Sequence, residues 1–208
     1  TPNTSSAASD VYKRQDFNQV IFTDAVAKVS DRIGKENEGW SVAKYLLEFE
    51  RSGGRGGSKS LSDLEFIKRL INKISSTHQN PIFTKTYFRK VSELEIKAQS
   101  IQYTSLRILS SLKEGDSPGP ESSMMKTLVT DLEQEISELT LDVIGYYGIP
   151  FQDTGYRSNK EAIGDEDYRS IAGKYQNLRA TTIYGGSNEI QRNIMAVSYT
   201  HLTLPTKC

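Results

Sequence analysis

Apolar positions along this 208-residue chain recur mostly at intervals of three and four, the spacing that lines one face of an α-helix. One exception is Asn18 to Val26 (NQVIFTDAV), short, β-branched and aromatic, which predicts a strand. The polar stretch Arg32 to Gly39 reads as a loop, and a helix follows from about Trp40 to Arg51. Ser52 to Gly57 (SGGRGG) breaks it, because each glycine costs a helix about 1 kcal/mol. Ser62 and Glu65 form a capping box ahead of Phe66, Ile67, Leu70, Ile71 and Ile74, which predicts a helix start there.

A longer helix is expected from about Lys85 to Lys113, striped by Phe88, Val91, Leu94, Ala98, Ile101, Ser105, Ile108 and Leu112. Gly115 to Pro120 reads as a turn. The next helix, about Glu121 to Tyr147, carries Met125, Leu128, Leu132, Ile136, Leu139 and Val143 on one stripe. Asp153 to Glu166 is polar and irregular, and two helical pieces, Asp167 to Thr182 and Ser187 to Ala196, close the pattern. The expected fold is all-α, an antiparallel helical bundle with a short β remnant in front. The stripes are its core.

Charge adds little. Twenty-six basic residues balance 26 acidic ones, so no overall field argues for nucleic acid or a membrane surface. No apolar run approaches the roughly 20 residues needed to span a bilayer, and no secretory signal is visible. The lone cysteine, Cys208, allows neither a disulfide nor a cysteine metal site, so no metal is expected and a reducing, cytoplasmic setting is the default.

The two ends stand apart. Asp10 to Gln15 can be read from one DNA element, and Val197 to Leu202 from its reverse complement in another frame; the element resembles a transposase end used in sequencing libraries. The expectation is that residues 1–15 and 197–208 are foreign tails, that 16–33 are the remnant of a β-domain and 34–196 the helical bundle. The natural protein is then expected to be longer than this chain.

Thr182 to Arg192 (TIYGGSNEIQR) is an apolar approach, a double glycine and a helix start, with Ser187 placed to cap the helix. Glycines let backbone approach a ligand, and free N–H groups at a helix start favour an anion or a polar ring edge. A plain tight turn explains the same residues. The surrounding segments resemble the acyl-CoA dehydrogenase family: DFNQVIFTDAVAKVSDRIGKENEGW its exit from the flavin-binding β-domain, LEFERSG its substrate-proximal helix, LDVIGYYGI its glycine turn against flavin of the partner subunit. SPGPESSMMK and LRATTIYGGSNEIQRN are most similar to large subunits of pimeloyl-CoA-type dehydrogenases.

The resemblance implies an FAD enzyme that takes an α-proton from an acyl-CoA thioester with a carboxylate while the β-hydrogen leaves as hydride. Many members carry the glutamate directly after the signature tyrosine, where this chain has Gly185; others place it on the first bundle helix before an arginine, here Glu50 before Arg51. At about 100° per residue, Trp40, Ala43, Leu47, Glu50 and Arg51 share one face and Glu48 does not. Glu50 is the expected base and Glu48 the fallback; an ordinary solvated glutamate is the alternative. Arg51, Gly185 and Gly186 match substrate contacts, Ser187, Asn188 and Glu189 flavin contacts, and Asp142 and Gly145 the flavin contact across subunits.

Where the family commonly has glutamine and paired glycines, this chain has Asp142 and Gly145-Tyr146, and NPIFTKTYFRK replaces an R-x-x-F-G element. These departures suit unlike subunits. The implied partners are another acyl-CoA dehydrogenase subunit in a homo- or hetero-oligomer and an electron-transferring flavoprotein as acceptor. An acyl-CoA oxidase and a non-catalytic helical subunit remain open.

Overall fold

The computed structural model describes residues 19–52, 56–78, 80–112, 119–152 and 161–200, without the side chains of 48–56 and 78. Both expected tails except 197–200, most of the predicted turn at 115–120 and most of the irregular stretch at 153–166 lie outside those residues. Six α-helices are described: α1 Gly39–Ser52, α2 Gly56–His78, α3 Pro81–Ser111, α4 Glu121–Ile144, α5 Ile171–Leu178 and α6 Asn188–Thr200. The chain divides into two compact units, Thr1–Lys44 and Tyr45–Cys208.

In the first unit the predicted strand does not form. Val20, Ile21, Phe22 and Val26 are 70–95% exposed, in irregular chain with a bend near Asp24. A strand needs a neighbour to pair its N–H and C=O groups, and the described residues contain no second strand.

The second unit is built on α4. Helices α2 and α3 form an antiparallel hairpin, and α4 contacts both as well as α5 and α6. Leu64, Ile67, Leu70 and Ile71 of α2 meet Val91, Leu94, Ala98 and Ile101 of α3 and Met125, Leu132, Ile136, Leu139 and Val143 of α4 in one core. The middle of the predicted α3 stripe and most of the α4 stripe are thus buried, whereas Phe88, Ser105, Ile108 and Leu112 are half-buried and Leu128 is 43% exposed.

Several helix boundaries differ from those predicted. Helix α2 starts at Gly56, so Ser62 sits exposed inside it and caps nothing; Glu65 instead pairs with Lys68 at 2.8 Å. The early start is possible because Gly57 lies against α3: a Cβ there would overlap the Ala98 carbonyl oxygen and come within 2.8 Å of Gln102 Cβ. Helix α3 starts at Pro81, four residues early, because Asn80 Oδ1 accepts from the Phe83 N–H at 3.1 Å and proline fits the first helical position. Helix α4 stops at Ile144, since Gly145 takes φ +55° and leads into a 3-10 turn, Gly145–Gly148. Helix α6 continues through Val197–Thr200, and Tyr199 Oη donates to Glu121 at 3.2 Å.

Candidate functional site

The glycine turn hangs between two anchors on α4. On its near side, Arg179 donates to Glu138 (2.6 Å) and to Ser137 Oγ (2.7 Å) and lies 4.3 Å from the Tyr175 ring centroid, while Gln134 donates to the Leu178 carbonyl at 3.1 Å. These bonds fix the end of α5. On its far side, Asn188 opens α6 and is almost fully buried, 3% exposed. Its Oδ1 accepts from Lys126 Nζ at 2.8 Å and Thr130 Oγ1 at 3.2 Å, and its Nδ2 donates to Asp131 Oδ1 at 2.8 Å. The Asn188 N–H donates to the Thr182 carbonyl at 2.9 Å, closing the loop.

Between the anchors, Gly185 and Gly186 take φ +69° and +88°, conformations a side chain disfavours. Nothing lies within 4 Å of where a Gly185 Cβ would be, so backbone conformation and not crowding calls for glycine there. Ile183 and Tyr184 are more than half exposed beside it. Ser187 caps α6, its Oγ accepting from the Ile190 N–H at 3.4 Å. The Glu189 carboxyl is held below its ordinary range, first by its own N–H and then by the Ser187 hydroxyl, with Arg192 and Lys126 adding attraction. It is an exposed anion at a helix start, where the dipole also favours it.

The expected flavin contacts therefore divide. Ser187 and Glu189 are on the surface of the turn, whereas the Asn188 amide faces into the bundle and all its hydrogen-bonding atoms have partners there. Sequence reasoning missed that second role because burial of a lone asparagine leaves no periodic trace. It also missed Lys126 and Asp131, which hold the amide, and Gln191, fully buried one turn on.

Asp142 and Gly145 lie at the other end of α4. Eleven residues separate Asp131, beside the glycine turn, from Asp142, a rise of about 16 Å. The Asp142 carboxylate is 3.4 Å from Lys90 Nζ, and its carbonyl accepts from Tyr87 Oη at 3.1 Å. That carbonyl belongs to the last helical turn, which lacks intrahelical donors. A Cβ on Gly145 would meet nothing within 4 Å. Within one chain these two groups are thus separate.

Glu50, Arg51 and the fallback Glu48 are on α1, but their side chains lie outside the described residues. Of the face predicted to carry Glu50, Ala43 and Leu47 are half-buried and Trp40 is 70% exposed. No helix among the described residues is long and apolar enough to cross a membrane.

The family model for the acyl-CoA dehydrogenase C-terminal domain matches residues 37–200, which takes in α1 through α6. This chain belongs to the acyl-CoA dehydrogenase family. It is 30% identical to acyl-CoA dehydrogenase IpdE1 of Mycobacterium tuberculosis (strain ATCC 25618 / H37Rv) across 87% of this chain and 43% of that protein. It is 28% identical to the protein of the same name from Mycolicibacterium smegmatis, across 87% and 41% respectively. The chain thus spans about two-fifths of the curated relatives it matches.

Among solved structures, a chain of the Tcur3481-Tcur3483 steroid ACAD G363A variant superposes with a TM-score of 0.64 at 16% identity, covering 86% of this chain and 44% of that one. A chain in the structure of the electron transferring flavoprotein of Acidaminococcus fermentans gives 0.58 at 18%, covering 79% and 40%. These two establish the fold. The family assignment makes the all-α bundle that of an oxidoreductase family, with family relatives that are acyl-CoA dehydrogenases.

Proposed function

We propose that this chain is the helical part of an FAD-dependent enzyme that converts an acyl-CoA to its trans-2-enoyl-CoA. The observation that carries the reading is the family match across residues 37–200. Glu50 is the α-proton acceptor in this reading: its carboxylate takes the proton from the carbon next to the thioester carbonyl. FAD, when bound, supplies the acceptor for the β-hydrogen as hydride. The role needs a carboxylate whose proton affinity lies near working pH, which a partly dry setting beside the thioester would supply. Arg51 beside it, with the backbone of Gly185 and Gly186, orients the thioester end of the substrate.

The residues of the turn suit the polar edge of a flavin ring. Gly185 leaves open space next to its backbone, and Ser187 offers a hydroxyl beside a helix start. Ser187, Asn188 and Glu189 would hold the cofactor, Asn188 through its backbone at the helix start, since its side-chain amide is occupied inside the bundle. The distance of about 16 Å along α4 favours Asp142 and Gly145 serving the flavin of a neighbouring subunit, like or unlike. Electrons then pass to an electron-transferring flavoprotein in a cytoplasmic setting.

The test is anaerobic addition of acyl-CoA thioesters, short, long and dicarboxylyl, to the full-length flavoprotein. Bleaching of the flavin absorbance with release of enoyl-CoA is the expected result. Absence of bleaching with every thioester overturns the proposal, and rapid reoxidation by air would move the enzyme to the oxidase class.

A further inference from the structure

Asn188 is the first residue of α6, and its amide is wholly committed to α4. Lys126 and Thr130 supply donors to its oxygen, and Asp131 accepts from its nitrogen. Arg192, one turn further along α6, reaches the other oxygen of Asp131 at 3.4 Å. The cluster has two cations, Lys126 and Arg192, and two anions, Asp131 and Glu189, so a buried amide joins like numbers of opposite charges. Charge-assisted bonds to a buried amide are stronger than neutral ones and poorly screened.

The consequence is mechanical. The seven-residue loop from Thr182 to Asn188 is closed by a backbone hydrogen bond at its base; Gln134 and Arg179 hold its near end to α4, and residue 188 with the helix it opens holds its far end. Two successive glycines at positive φ have the widest conformational choice of any residues, and something outside the loop must select one conformation. We infer that Lys126 and Asp131 are positioning residues for the Gly185–Gly186 turn, acting through the Asn188 amide. Through that amide they fix the point from which the turn projects. For catalysis the inference rests on the proposed function, which puts substrate and flavin against this turn.

The test is a double-mutant cycle read by amide hydrogen exchange in the full chain. Lys126→Met and Asp131→Asn should each raise exchange of the hydrogen-bonded loop amides of Ile183, Tyr184 and Asn188 roughly tenfold while core amides of α2 and α3 keep their protection. Lys126→Met with Asn188→Ala should exceed the larger single effect by less than a factor of about two, because both break one unit. The paired exchange Asn188→Asp with Asp131→Asn restores one donor facing one acceptor and should recover most of the protection. In the holoenzyme, Lys126→Met should lower kcat with KM held within a factor of about two.

Additive effects of Lys126→Met and Asn188→Ala, or no change at the turn in either α4 variant, overturn the inference. Asn188 would then act by direct contact. Exchange is read without substrate or flavin, so a wild-type protein that dehydrogenates no thioester refutes the proposed function and leaves the positioning result to be judged on its own.

Discussion

Gln191 is the most informative position for stability. It is 0% exposed, and neither its Oε1 nor its Nε2 has a partner among the described residues. An unmet buried donor or acceptor costs about 1–3 kcal/mol, so the two atoms together cost about 2–6 kcal/mol. Gln191→Met keeps the length of the side chain and removes both atoms. Allowing for imperfect packing of the sulfur, the variant should be about 2 kcal/mol more stable. For a chain of this size that is a rise in Tm of about 4–8 °C. In urea the midpoint should rise by about 1 M at unchanged slope. Gln191→Glu, which would bury a carboxylate in the same place, should lose about 3 kcal/mol. A fall of the midpoint in Gln191→Met would refute the reasoning, and would mean that the amide is hydrogen-bonded by an internal water.

Arg179→Lys should destabilise by about 2 kcal/mol in urea denaturation, because an ammonium cannot reproduce the guanidinium fork to Glu138 and Ser137 or the stacking on Tyr175. An unchanged midpoint would show the ion pair to be idle. Gly57→Ala should cost about 2–3 kcal/mol, since the new methyl meets backbone at Ala98 that cannot rotate away; thermal melting checks it. The segment around Asp165 should loosen in acid. The Lys73 ammonium, 2.5 Å away, and the Asp167 N–H hold the Asp165 carboxyl below its ordinary 3.8. A depressed carboxyl stabilises above its unfolded value and loses that as pH falls through the folded one. Lys73 is raised above 10.5 and loses its part only in strong alkali. The protection of the 163–168 amides, relative to their intrinsic exchange rate at each pH, should therefore be flat from about pH 5 to 9 and fall below pH 4, and Asp165→Asn should abolish the acid step.

Helix stripes were legible because burial repeats: Val91, Leu94, Ala98 and Ile101 announce themselves by spacing alone. Helix starts were less so. Ser62 and Glu65 have the right types for a capping box, but the tight seat of Gly57 on α3 carried the helix past them, a tertiary effect no local pattern encodes. The strand at 18–26 shows the converse, since a β-branched run without a pairing partner stays irregular. In the site, the glycine turn and its Ser187 cap were readable from residue type. The anchoring of the Asn188 amide was not readable, because its partners, Lys126 and Asp131, lie about 60 residues away in sequence. Long-range pairing of polar side chains has no period, so it stayed hidden.

In the proposed reaction the carboxylate of Glu50 removes a proton from the carbon next to a thioester. Stopped-flow reduction of the flavin by acyl-CoA, in the full-length enzyme and in its Glu50→Gln variant, tests it directly. The amide is nearly isosteric and cannot accept the proton, so reduction should slow by at least about 10²-fold while acyl-CoA still binds. Reduction at the wild-type rate in Glu50→Gln would contradict the account.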